Sequence, residues 1–145
     1  MKTVLQRVSE AKVKVDGEVV GAIGTGLLVL FCAEPDDDQE KASYFARKIA
    51  SMRIFEDNAG KMNLSVSDIG GAVLAVSQFT LIAEWHKGNR PGFSRAADPQ
   101  TGEAMYNFFC TELRSHGLVV ETGRFGAAME VTLINAGPVT IIMDD

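Results

Sequence analysis

Two short segments of this 145-residue chain carry hydrogen-bonding residues where the surrounding pattern does not ask for them. Ser77-Gln78-Phe79-Thr80-Leu81 follows directly on the apolar run Ala72 to Val76, so polar side chains stand at the end of a buried strand, where propensity favours Val and Ile. Residues there are held rigidly. Three hydrogen-bonding side chains at such a position need a reason. The plainer reading is an edge strand whose hydroxyls bond to adjacent backbone. The second segment, Asn135-Ala136-Gly137-Pro138-Val139-Thr140, sets a proline where a strand pattern is starting, which removes a ladder donor and restricts the preceding residue. Taken alone, it reads as a hairpin turn.

Familiar catalytic arrangements are not met elsewhere. His86 lies in a loop and His116 at a helix end, neither in a motif tying it to a Ser or Cys nucleophile, and both read as surface residues. Gly21, Gly24 and Gly26 lack the lysine and following helix of a phosphate-binding loop. Cys32 and Cys110 sit in apolar settings that suit reduced core thiols, and no Cys/His cluster has metal-ligand spacing. Asp36, Asp37 and Asp38 are explained by helix capping, so neither a metal nor another cofactor is expected.

The elements that must position these segments are well marked. Val4 to Val8 and Lys12 to Val15 read as strands, with Asp16-Gly17 a tight turn into Glu18-Val19-Val20. Leu27 to Phe31, apolar throughout, predicts a central strand covered on both faces. Asp36 to Asp38 supply an N-cap, Glu40 is placed to complete a capping box, and Ala42, Phe45, Ala46, Ile49 and Ala50 repeat at helical spacing. Arg53-Ile54-Phe55 is strand-like before the turn Asn58-Ala59-Gly60. Glu84 to Ala97, rich in Gly, Pro and basic residues, reads as an exposed loop. Asp98 caps a second helix, with Pro99 in its first turn, Met105, Phe108, Phe109 and Leu113 on its inner face and Gly117 as its stop. Leu118 to Glu121, Met129 to Ile134 and Val139 to Met143 finish the chain as strands, the last two joined through Asn135-Ala136-Gly137-Pro138. The expected architecture is a single α/β domain over residues 1–145, a mixed sheet with two main helices.

Composition bounds the partners. With 46% hydrophobic and 23% charged residues the chain is globular. Its longest apolar run, Leu27 to Ala33, is too short to cross a bilayer, and Met1-Lys2-Thr3 leads into a strand-like segment with no signal-peptide core, so no membrane partner and cytoplasmic residence are expected. The formal charge of -5 argues against coating nucleic acid by bulk electrostatics. Any RNA contact needs a local patch, and Lys87, Arg90 and Arg95, with Trp85 and Phe93 interleaved, are the best candidates beside the plainer reading of a solvated loop.

Ser77 to Leu81 and Asn135 to Thr140 resemble, in order and placement, the two signature motifs of the D-aminoacyl-tRNA deacylases. Val4 to Val8, Arg53 to Asp57, Gly60 to Asn63, Lys87 to Pro91 and Gly123 to Met129 are similar to family segments as well. Gly92 stands where the family often has Ser, and Ala128 where Asp is common, whereas Gly137, which separates this type from related deacylases carrying Thr there, is present. The resemblance implies a barrel-like mixed sheet, a homodimer, and a hydrolase that cleaves D-aminoacyl-tRNA and, because glycine has no side chain to reject, glycyl-tRNA. It implies that Gly137-Pro138 is cis and enters the partner subunit's site as a chirality gate, supported by Arg7, Asn135 and Thr140. It gives the catalytic segment as Ser77, Gln78, Phe79 and Thr80, with the Phe79 and Thr80 amides as oxyanion donors, Phe125 and Met129 bordering the pocket, and the tRNA 2′-hydroxyl assisting. Two alternatives stay open: Thr80 as a covalent nucleophile, and a non-catalytic dimeric RNA-binding module.

Overall fold

The computed structural model describes all 145 residues, and its first strand, β1 (Lys2–Val15), runs unbroken through both of the opening strand-like segments. Asp16 and Gly17 both take positive φ, 51° and 78°, the geometry of a tight two-residue hairpin turn, and lead into β2 (Glu18–Ile23). β3 (Gly26–Cys32) pairs antiparallel with the first half of β1, Leu5 opposite Val29. Helix α1 (Gln39–Ser51) is capped by Asp38, whose carboxylate accepts from Lys41 N at 2.8 Å. With Asp38 as cap the reciprocal position falls on Lys41, so Glu40 lies one residue early and the expected capping box does not form. The helix buries Ala42, Phe45, Ala46, Ile49 and Ala50, as their spacing requires.

β4 (Phe55–Glu56) and β5 (Met62–Leu64) make a small separate sheet around the Asn58-Ala59-Gly60 turn. β6 (Ala72–Ser77) lies parallel to β3. After the Glu84-to-Ala97 loop, α2 (Pro99–Ser115) starts at Asp98, which accepts from Gln100 N at 3.0 Å and Thr101 N at 3.1 Å. Its buried stripe is Tyr106, Phe109, Cys110 and Leu113; Met105 and Phe108, expected on that face, lie at the margin and are only half-buried, because the helix is rotated towards Tyr106. β7 (Val119–Thr122) pairs parallel with β6, and β8 (Glu130–Asp144) pairs antiparallel with β1 along nearly its whole length.

Sheet order is β2-β1-β3-β6-β7 with β8 on the far edge of β1. The sheet curls until β2 meets β7, making a nearly closed barrel. A Cβ at Gly21 would stand 2.4 Å from Thr122 O, so only glycine allows that approach. One part of the core packs the helices on the sheet, with Phe31 stacked on Phe109 at 4.6 Å, and a smaller part fills the barrel with Val8, Val13, Leu28, Leu74 and Val76. No helix is long and apolar enough to cross a membrane.

The Asn135-to-Pro138 segment is not a hairpin. β8 continues through it as one strand: Val8 faces Asn135 and Gln6 faces Thr140, so Ala136, Gly137, Pro138 and Val139 bulge opposite Arg7 alone.

Hydrogen bonds from Thr101 and Gln100 hold the Asp98 carboxyl below the ordinary aspartate range, and those from Asn63, Lys61 and Ala59 do the same for Asp57. Carboxyls lowered by folding add stability that is complete above the unfolded value of about 4 and disappears as the pH falls through the lower folded values. The urea midpoint is therefore expected to fall between pH about 5 and about 2. Asp98→Asn keeps a capping acceptor but cannot titrate, and should flatten that fall; an unchanged pH profile would contradict the role given to Asp98.

Candidate functional site

β3 and β6 are parallel and in register, Phe31 beside Ser77, so their carboxyl ends lie side by side. Such ends are where α/β sheets bind ligands. A cavity of about 500 Å³ opens there, bounded by the strand ends, the start of α2 and the stretch from Phe125 to Val131. Ser77, Gln78 and Phe79 line it on one side and Phe125 and Met129 on another, while Ala33, Ala97 and Gly102 leave the space between them open.

The polar segment is not an edge strand. Gln78 N donates to Phe31 O at 2.7 Å, which ends β6, and the chain turns at once into a 3-10 helix, Phe79–Ile82. The first bond of this turn runs from Leu81 N to Gln78 O at 3.2 Å, so the Phe79 and Thr80 amides precede it. The Gln78 side-chain amide donates to the Thr80 hydroxyl. Thr80 itself is exposed and does not line the cavity.

The Cys32 thiol on the cavity wall and the Tyr106 hydroxyl beside Phe125 are held in unreactive states. Burial, with the nearby Glu34 carboxylate, pushes the Cys32 thiol up to about 11, and its Sγ donates to the carbonyls of Ala33 at 3.5 Å and Phe79 at 3.6 Å. Tyr106, tilted against Phe125 at 6.0 Å, donates its hydroxyl to Ala75 O at 2.8 Å, and burial keeps it protonated well above the ordinary tyrosine range.

The second segment occupies a different place in the same chain. Arg7, only 8% exposed, has no carboxylate partner; its Nε donates to Ala136 O at 2.8 Å and its Nη1 to Ile54 O at 2.7 Å. A buried guanidinium is thus compensated by two backbone carbonyls, one at the bulge and one just before β4. The Gly137-Pro138 peptide bond is cis, and both residues are exposed. The Thr140 hydroxyl donates to the Gln6 side chain, and Asn135 is exposed. None of Arg7, Asn135, Gly137, Pro138 or Thr140 reaches the cavity of its own chain.

Of the basic candidates, Lys87 and Arg90 are exposed, whereas Arg95 Nη2 pairs with Glu34 Oε1 at 2.9 Å and is engaged within the fold. Reasoning from sequence missed Cys32, Ala33, Ala97 and Gly102 as lining residues. Only the parallel pairing of β3 with β6 would have pointed to the first two.

A family model described as D-Tyr-tRNA(Tyr) deacylase matches residues 4–144. The chain belongs to this deacylase family. A D-aminoacyl-tRNA deacylase of Ruegeria pomeroyi is 60% identical over 99% of both chains, and one of Anaeromyxobacter dehalogenans is 58% identical over 99% of this chain and 97% of its own. Among solved structures, one named c-Myc DNA Unwinding Element Binding Protein superposes with a TM-score of 0.93 and 42% identity, covering 100% of this chain and 99% of its own. Another, described as a probable eukaryotic D-amino acid tRNA deacylase, shares the fold with a TM-score of 0.86 at 18% identity, over 99% of this chain and 98% of its own.

At the bulge of this deacylase-family chain, the backbone conformation calls for glycine. Gly137 has φ +130°, and a Cβ there would stand 2.6 Å from Arg7 Nη2. Gly137→Ala is expected to lower stability by about 1–3 kcal/mol in urea unfolding. Gly24, at an ordinary φ and with open space where a Cβ would point, is the control: Gly24→Ala should change stability by less than about 0.5 kcal/mol. Equal effects at the two sites would refute the Arg7 packing.

Proposed function

We propose that this chain hydrolyses the ester joining a D-amino acid to the terminal adenosine of tRNA, with the cavity at the ends of β3 and β6 as the reaction site. The observation that carries this is the placement of Ser77, Gln78 and Phe79 on the wall of a largely apolar cavity of about 500 Å³, a size within the range of small-molecule sites. The 60% identity to a protein named D-aminoacyl-tRNA deacylase supports the same chemistry.

The mechanism calls for no protein nucleophile. The Thr80 hydroxyl is bonded by the Gln78 amide, with no basic group among its partners, and the Cys32 thiol is held protonated. The 2′-hydroxyl of the terminal adenosine assists cleavage, while the cavity orients the ester. Charge developing on the carbonyl oxygen is met by the amide of Phe79, which lines the cavity at the free start of the 3-10 turn, with the Thr80 amide next to it in the chain. Ser77 and Gln78 hold the adenosine.

Selectivity comes from a second subunit. The exposed Gly137-Pro138 bulge of one protomer enters the cavity of the other, and its backbone leaves no room for an L side chain. Rejection of this kind separates enantiomers better than attraction can. Support for a dimer comes from β8, which contains no buried residue, leaves one edge unpaired and exposes Ile134 at 52% and Ile142 at 68%. Such an edge calls for cover. Glycine has no side chain to exclude, so glycyl-tRNA is also cleaved.

A non-catalytic nucleic-acid-binding module is the competing reading, and the relative named for a DNA element favours it. A largely apolar cavity at the strand ends is of no use to such a module. D-tyrosyl-tRNA and L-tyrosyl-tRNA assayed side by side decide between the two. Hydrolysis of the D-ester and of glycyl-tRNA, with the L-ester intact, is expected; equal cleavage of both enantiomers, or of neither, overturns the proposal. Thr80→Ala should keep the rate within about tenfold, whereas loss of roughly ten-thousandfold would make Thr80 a nucleophile.

A further inference from the structure

The loop from Glu84 to Ala97 runs into the cavity wall at Ala96 and Ala97 and carries a feature that the hydrolytic mechanism does not use. Trp85, the sole tryptophan of the chain, is 68% exposed. Its ring lies beside that of His86, with centroids 4.1 Å apart and planes inclined by 39°.

The loop is held in place rather than loose. Glu84 and Gly92 exchange two backbone hydrogen bonds, each 2.9 Å, and the Ser94 hydroxyl donates to Glu84 Oε2 at 2.8 Å. Phe93 packs edge-on against Phe79 at 5.2 Å, and Phe79 lines the cavity. Arg95, paired with Glu34, ties the end of the loop to the end of β3. Trp85 is therefore presented on a braced loop whose Phe93 packs on the cavity-lining Phe79.

Charge names the occupant. From Trp85 to Arg95 there is no acidic residue, in a chain of net charge -5, and Lys87 and Arg90 form no ion pair within the fold. An exposed aromatic ring beside uncompensated cations is the combination that binds unpaired nucleotides, the ring stacking on a base and the cations meeting phosphates.

We infer that Trp85 is a stacking platform for an unpaired nucleotide of the tRNA 3′ end adjacent to the terminal adenosine, with Lys87 and Arg90 on the flanking phosphates. The inference rests on the proposed reaction and adds a positioning residue to it. Arg95 anchors the loop and takes no part in RNA contact.

Because Trp85 is the only tryptophan, its emission reports on it directly. Uncharged tRNA should quench the emission of the wild-type protein, and tRNA trimmed of its unpaired 3′ nucleotides should not. Trp85→Ala should raise KM for D-tyrosyl-tRNA at least about fivefold, with kcat within about twofold, and Trp85→Phe should restore it. On the D-tyrosyl ester of adenosine alone, Trp85→Ala should match the wild type, a result that a merely structural role for Trp85 would not give. Lys87→Ala and Arg90→Ala should each reduce the slope of log affinity against log salt by roughly one. Cleavage of D-tyrosyl-tRNA by a wild type whose emission is unaffected, and whose Trp85→Ala variant has an unchanged KM, overturns the platform and leaves the reaction standing. A wild type that cleaves nothing overturns the reaction, and the quenching comparison still decides the platform.

Discussion

Leu27 to Phe31 lie hydrogen-bonded beside Val73 to Ser77, two parallel strands with apolar side chains on both faces. Parallel strands buried on both sides need layers above and below, and the helices with the curled remainder of the sheet supply them. The same pairing brings two chain exits to one end. Beyond Cys32 and Ser77 the chain must leave the sheet there, and the divergence of the Ala33 path from the Gln78 path is what opens the cavity. Position, more than any reactive side chain, distinguishes this site: its cysteine is kept neutral by burial.

A second constraint acts at the far side of the barrel. Arg7 is a buried cation on a strand whose neighbours are apolar, and water cannot solvate it there. Backbone carbonyls of Ala136 and Ile54 do so instead. The bulge in β8 is what turns the Ala136 carbonyl towards the guanidinium, and the missing side chain of Gly137 is what lets the guanidinium come close. Charge burial and backbone irregularity are thus two halves of one arrangement.

Much of this was legible from residue order. Helical spacing from Ala42 to Ala50 and the Asp98-Pro99 start of α2 located both helices, and unbroken apolar runs located β3 and β6. Local signals misled where distant pairing took over. A proline after glycine reads as a turn, but β1 offered β8 a partner on both sides of it, so the strand continued. Ser77 to Leu81 looked like strand because the preceding residues were, yet the bond from Gln78 N to Phe31 O ended the ladder and let the chain coil. The family motifs pointed to Ser77, Gln78 and Phe79, whereas Ala33 and Gly102 are silent in sequence because what they contribute is empty space. Arg95 looked like its basic neighbours, and only the approach of Glu34, distant in sequence, separates it from them.

The ladder between β1 and β8 also bears on how the molecule comes to exist. Leu5 pairs with Ile141 and Val13 with Val131, so nearly the whole chain lies between partners. Closing so large a loop adds little entropy over a shorter one, but pairing across such distances is slow to find. During synthesis β1 can gain β2 and β3 early, while its other edge stays open until the final strand has left the ribosome. An early strand waits for a late one.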